Sequence, residues 1–228
     1  MANTCAIRSN RPYWRLGVLA LVLLLNGCAA LYMLTGKGQQ EALYKLPEKS
    51  RILVCVDARQ VSGMPGDAPA RLGQLISEHL YKYQAGETFV AQSRLSEVRK
   101  NPQFSPANPA ERMGIADIAA ATDADVVVFV DVLQFNIQNI SGGEVNQGNA
   151  MAMVKVIDKR GKRLWPADTE PLGYQVTAVA APSLAADGGP TFVQAKLLKD
   201  LALKAGRLFH SYDTEDREVN PREPEVGN

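Results

Sequence analysis

Hydrophobic and polar positions divide the chain into short apolar runs separated by helical stripes. Ile52 to Val56 is continuously apolar and rich in β-branched residues, and Asp57 with the turn-rich VSGMPGDAP closes it. That pattern predicts a buried strand. Leu72, Leu75, Ile76, His79, Leu80 and Tyr83 then recur at spacings of three and one, which keeps them on one helical face. Pro69 suits the first turn, Asp67 is a candidate cap and Gly86 a stop. Thr88 to Ala91 predicts a second short strand, and Ser93 opens a short helix carrying Leu95 and Val98. A helix is expected from Pro109 to Thr122, with Met113, Ile118 and Ala121 inward.

The strongest strand pattern is Ala124 to Gln138. Its first half is apolar throughout, as in a strand buried on both faces. Its second half alternates, with Val132, Leu133, Phe135 and Ile137 set against Asp131, Gln134, Asn136 and Gln138. The polar, glycine-bearing stretch Asn139 to Asn149 predicts a loop, and Ala150 to Asp158 a return strand. DKRGKR supplies a turn into Leu164 and Trp165, and Gly173 to Ala181 is a further strand. A last helix is expected from Pro190 to His210, with Val193, Leu197, Leu201, Lys204 and Leu208 on one stripe. The lysine stem can lie along that stripe with its amine in water. The order predicts an α/β (α+β) domain, a mixed sheet of about five strands with amphipathic helices packed on it.

The amino terminus follows a different pattern. Arg8, Arg11 and Arg15 precede an apolar run from Leu16 to Leu25, with no acidic residue before Cys28. Ten apolar residues reach about 15 Å as a helix, half of a hydrocarbon core. A cationic flank with a short apolar run is the pattern of a secretory leader. Leu25-Asn26-Gly27-Cys28 resembles the bacterial lipobox, and Leu25, Gly27 and Cys28 match it, whereas Asn26 stands where a small or aliphatic residue is usual. The resemblance implies a signal peptide over 1–27, diacylglycerol on Cys28 and membrane attachment through that lipid. Ala29 is not Asp, and the sorting rule of two-membrane bacteria then favours the outer over the inner membrane. An uncleaved anchor is the alternative, because Ala29 to Leu34 extend the apolar run to a spanning length. Either reading places the body outside the cytoplasm.

Thr35 to Ser50 is polar with Gly36, Gly38 and Pro47, as in a flexible segment, and 28–50 is expected to be a lipidated tether. The folded domain is expected over 51–211, and 212–228, rich in charge and proline, predicts a disordered tail. The formal charge of the whole chain is +1. A near-neutral body gives no electrostatic basis for binding nucleic acid. Three cysteines are present. Cys5 lies in the leader and Cys28 is the lipid candidate. Cys55 remains as a small buried hydrophobe.

Candidate chemistry is sparse. His79 sits on an apolar helical face and His210 at a helix end, where a cation suits the dipole. No zinc-ligand spacing and no nucleophile elbow occurs, so no metal and no cofactor is expected. Asp57 ends the first strand, while Asp123, Asp125 and Asp131 flank the central one. On parallel neighbouring strands Asp57 and Asp131 would share a sheet edge, and paired carboxylates can serve acid/base work. The competing account has Asp123 and Asp125 ending a helix and starting a strand, with Asp57 and Asp131 facing water.

Asp125, Val126 and Val127 after an alanine-rich helix, and Asp158, Gly161, Leu164 and Trp165 in a hairpin, resemble a family of envelope lipoproteins. That family includes the curli-export lipoprotein and the amino-terminal domain of the Tol-Pal translocation protein. The likeness spans about 50 to 210. It implies a non-enzymatic, periplasm-facing domain that binds envelope proteins as a scaffold or accessory subunit. An oligomeric export component is the alternative within the family, and an envelope hydrolase using Asp57 and Asp131 the alternative outside it. A loop as short and polar as Asn139 to Asn149 departs from the long alternating hairpins of a channel, and no pore is expected.

Overall fold

The computed structural model describes residues 38–59, 61–104, 113–140, 145–167, 170–184 and 189–213. In chain order the elements are β1 (Gln39–Gln40), β2 (Arg51–Asp57), α1 (Ala68–Lys82), β3 (Thr88–Phe89), α2 (Gln92–Arg99), a 3-10 turn (Pro102–Phe104), α3 (Ile115–Thr122), β4 (Val126–Ile140), β5 (Val145–Asp158), β6 (Arg163–Trp165), β7 (Tyr174–Leu184), α4 (Gly189–Gly206) and β8 (Tyr212–Asp213). The chain forms two units, Glu41–Ser211 and a second comprising Met1–Gln40 with Tyr212–Asn228. In the second, β1 pairs antiparallel with β8, Gln39 opposite Asp213. The leader, Cys28 and residues 214–228 lie outside the described residues.

The main unit is built on a mixed sheet in the order β3-β2-β4-β5, with β6 and β7 both on the far edge of β5. Strands β3, β2 and β4 run parallel, and the rest are antiparallel. The α/β class read from the pattern is the one observed. Ile52, Val54 and Val56 join Val126, Val128, Val130 and Val132 under α1 and α4, which supply Leu72, Ile76, Leu80, Val193, Leu197 and Leu201. The opposite face carries Leu53, Cys55 and Val127 against Leu95 of α2 and Ile118 and Ala119 of α3. Burial on both faces explains why β2 and early β4 are apolar throughout.

The central hairpin departs from the expected loop. β4 runs to Ile140 and β5 already starts at Val145, so Asn146, Gln147, Gly148 and Asn149 are strand residues. Asn, Gln and Gly have low strand propensity, but β5 is paired on both sides, to β4 and to β7. Pairing overrides propensity here. The register shifts between Val132 and Gln134. A bulge of this kind moves the inward set from even to odd numbers. Phe135 is therefore buried at 1% exposure, while Leu133, expected on the same face, is 38% exposed. The shortness argued against a channel-type hairpin does not hold. Its distal outward positions Asn136 and Gln138 are nevertheless polar and exposed.

Other boundaries shift as well. Residues 41–50 belong to the folded unit rather than to a tether. Leu46 is buried at 7% exposure, the Tyr44 N–H donates to the Leu208 carbonyl at 3.0 Å, and the Tyr44 ring stacks on Trp165 at 5.9 Å. The helix expected from Pro109 begins at Ile115, residues 105–112 lying outside the described set. The last helix ends at Gly206, and turns follow it to His210. Asp67 occupies the cap position of α1 without a side-chain capping bond.

Helix side chains occupy backbone groups of β2, beyond the short edge strand β3, and of the edge strand β7. On β2, whose partner β3 is only two residues long, Gln92 Nε2 donates to the Val54 carbonyl at 2.9 Å and Arg99 Nη2 to the Val56 carbonyl at 2.8 Å. On β7, Lys204 Nζ donates to the Thr177 carbonyl at 3.0 Å, and Asp200 Oδ2 accepts from the Val179 N–H at 3.3 Å. These groups would otherwise offer a template for strand addition.

Candidate functional site

The carboxylate pair anticipated from the sequence forms. Asp57 and Asp131 are register partners on parallel β2 and β4. Their surroundings are those of a salt-bridged sheet end. The chain turns after β2, and Arg59 folds back so that its Nε donates to Asp57 Oδ1 at 2.7 Å. Its Nη2 contacts Asp57 Oδ2 as well. The Asp57 side chain is 13% exposed, so it does not face open water. The hydrogen bond to Asp57, with the charges of Asp57 and Asp131 behind it, raises the Arg59 pKa above its ordinary value. A carboxylate pair that shares a proton needs mutual repulsion without a nearby cation. Arg59 supplies that cation, bound to Asp57 and within the field of Asp131.

Asp123 and Asp125 sit where the helix-end and strand-start account places them. Asp123 closes α3 in the left-handed conformation, at φ 60°, and pairs with Arg51. Asp125 Oδ2 accepts from the Arg51 backbone N–H at 3.1 Å, and Oδ1 accepts from Lys159 Nζ at 3.1 Å. The Arg51 N–H, then the Lys159 ammonium, lower the Asp125 pKa to about 2. A depressed carboxyl stabilises above its ordinary range and loses that contribution as pH falls toward 2. Carboxyl NMR titration should therefore find Asp125 near 2. Lys159→Met should raise that midpoint more than Arg51→Gln, because the glutamine keeps the backbone N–H.

The two histidines, the only ones in the chain, meet. His79 of α1 and His210, just past α4, approach with Nε2 to Nε2 at 2.8 Å across 131 positions of sequence. His210 Nδ1 lies 2.9 Å from the Ser211 carbonyl. That acceptor assigns the Nδ1–H tautomer to His210, so its Nε2 accepts from the Nε2–H of His79. Tyr83 stacks on the His210 ring at 4.2 Å, with an interplanar angle of 1°. Burial first, then His210, Arg207 and Lys82, lower the His79 pKa to about 4. An open groove of about 860 Å³ runs alongside, bounded by Leu46, Lys45, Tyr81, Lys82 and Phe209, with His210 in its wall.

Sequence reasoning placed each histidine separately and missed the pair. The available clue was that His79 lies on an apolar helical face and His210 at the end of an apolar helix, while no other histidine exists. Cys55 is buried, and burial pushes its thiol up to about 11, away from nucleophilic use. Among the described residues no group of three or more His, Cys, Asp or Glu side chains is placed to hold a metal. No described helix is long and apolar enough to cross a membrane.

No family model and no curated protein matches the chain. Solved structures do. Lipoprotein GNA1162 from Neisseria meningitidis is 14% identical with a TM-score of 0.41, over 64% of this chain and 91% of that one. The PelC dodecamer from Paraburkholderia phytofirmans is 13% identical with a TM-score of 0.42, over 75% and 95%. The hypothetical protein CT253 from Chlamydia trachomatis is 16% identical with a TM-score of 0.35, over 70% and 89%. Neither of the two families that the sequence resembles is among these three. At such identities and scores the likeness extends to neither activity nor partners.

Proposed function

We propose that the chain is a lipid-anchored lipoprotein of a bacterial envelope, with a folded unit that faces the periplasm and binds protein partners as a non-enzymatic accessory subunit. The observation that carries this reading is Leu25-Asn26-Gly27-Cys28 behind three arginines and a ten-residue apolar run. The fold supports its second half. Asp57 is held by Arg59, and backbone groups of β2 and β7 carry helix side chains. Partners would then dock on faces rather than by strand addition. On the sheet face opposite α1 and α4, Leu133 and Val179 are exposed at 38% and 67%. Ala29 favours the outer membrane.

Mass spectrometry of the amino terminus of detergent-extracted protein tests the anchor. A mature chain beginning at diacylglyceryl-Cys28 is expected, and Cys28→Ser should leave the leader uncleaved. An unmodified chain retaining the leader would replace this reading by the uncleaved anchor. Crosslinking followed by isolation in mild detergent tests the partner half, and a monomer with no crosslinked envelope protein would defeat it. A second reading, an assembly of several copies, is favoured by the length of the hairpin, 15 and 14 residues in its two strands. Ring-shaped particles in electron micrographs would support it, and a monomer would remove it.

A further inference from the structure

We propose that His79 and His210 form a proton-operated latch, which holds the end of α1 to the segment after α4 when neutral and releases it, opening the adjacent groove, on acidification. The latch is a property of the fold and stands whether or not Cys28 carries a lipid.

The geometry has three parts. The contact joins elements far apart in sequence, and it sits where three segments converge. The Ala85 N–H returns to the Leu80 carbonyl at 2.9 Å, the Phe209 N–H to Gly206, and the Tyr44 N–H to Leu208. Position 206 is glycine because a Cβ there would overlap the His79 ring. The imidazole is seated directly on the helix backbone, with no side chain between. Tyr83 closes the other side, 4.6 Å from the His79 ring and 4.2 Å from that of His210.

The protonation states follow from the donor count. A neutral pair has one N–H and one lone pair between the facing Nε2 atoms, enough for one hydrogen bond. One added proton can still be accommodated, on the free Nδ1 of His79 or, with a change of His79 tautomer, on Nε2 of His210, but it leaves a charge in a half-buried site. A second proton sets N–H against N–H at the 2.8 Å spacing and the bond is lost. The facing charges oppose protonation: Lys82 from the end of α1 and Arg207 from the turn after α4 act on His79. Lys45 and Glu48 from the first segment and Glu87 after α1 line the neighbouring groove. An imidazole that titrates near its ordinary value when released and near 4 when latched binds protons better in the open form. The open fraction is thus constant above about pH 6.5 and grows about tenfold per pH unit below it, levelling off near pH 4.

The test is hydrogen exchange and imidazole 15N NMR on the full chain in detergent, from pH 8 to 4. At pH 8 His210 should show Nδ1–H and His79 Nε2–H. After correction for intrinsic rates, protection of the Ala85, Leu208 and Phe209 amides should fall about tenfold per pH unit below 6.5, while central amides of β4 keep theirs. His79→Gln, which can both donate to and accept from His210, should make local opening nearly independent of pH. Independent titration of both rings near 6.5 without loss of protection would overturn the latch. So would an unchanged acid response in His79→Gln. If that variant does not fold, the wild-type titration alone decides.

Discussion

Phe135→Ala is expected to lower the unfolding free energy by about 3–5 kcal/mol, whereas Leu133→Ala should change it by no more than about 0.5 kcal/mol. The two residues lie two positions apart in the same strand, both large and apolar, and alternation alone puts them on one face with Ile137. The register shift between Val132 and Gln134 separates them. Before it the inward residues are even-numbered, from Val126 to Val132; beyond it Phe135 takes the inward place and Leu133 is left over. Phe135 is buried with Val132 and Ala150 in the core under α1 and α4, so its removal leaves a cavity that the sheet cannot collapse. Denaturant unfolding of both variants, with the slope of the transition unchanged, checks the difference. A larger loss for Leu133→Ala would mean that β4 is paired one residue out of register, since a one-residue slip exchanges the two faces.

That pair also marks how far the fold was legible in the sequence. β2 and the first half of β4 are recognisable because burial on both faces leaves no polar position to obscure the run, and α1 because its stripe is complete. The hairpin's outer half is not, because its stability lies in pairing with two neighbours. Asn146 is buried at 2% exposure and accepts from Asn139 Nδ2 at 3.4 Å. Nothing local in VNQGN announces that. The first segment is a similar case. Tyr44 and Leu46 look like isolated apolar residues in a polar stretch until Trp165 and Phe209 arrive from distant parts of the chain. The site followed the same rule. The Asp57 and Asp131 register could be anticipated from strand order, but the Arg59 clamp depends on how the chain turns after β2. The histidine pair depends on α1 and α4 lying side by side.

Gly148 shows what a misread local pattern concealed. In a polar stretch with other glycines it suggests loop flexibility. In the structure it is a buried strand residue beneath α4, where a Cβ would stand 2.5 Å from Leu197 Cδ1, 3.0 Å from Val193 Cγ1 and 3.2 Å from the Asn136 carbonyl oxygen. Glycine within a strand ordinarily weakens it, and here it marks close approach of a helix. Gly148→Val should therefore destabilise by about 3 kcal/mol through overpacking, and Gly148→Ala by about 1–2 kcal/mol. Leu197→Ala, at a fully buried position, should cost about 2–5 kcal/mol by itself. The two sites share one space, so their effects should not add. Combining Gly148→Ala with Leu197→Ala should give a loss smaller than the sum by about 1 kcal/mol or more, because the new methyl enters the space that the leucine vacates. Rescue should stay incomplete, since the Asn136 carbonyl oxygen is backbone and does not move with Leu197. A double-mutant cycle in denaturant measures the coupling. Strict additivity would mean that α4 does not rest on β5 at Gly148, and the long hairpin would then lose the contact that fixes its outer half to the folded unit.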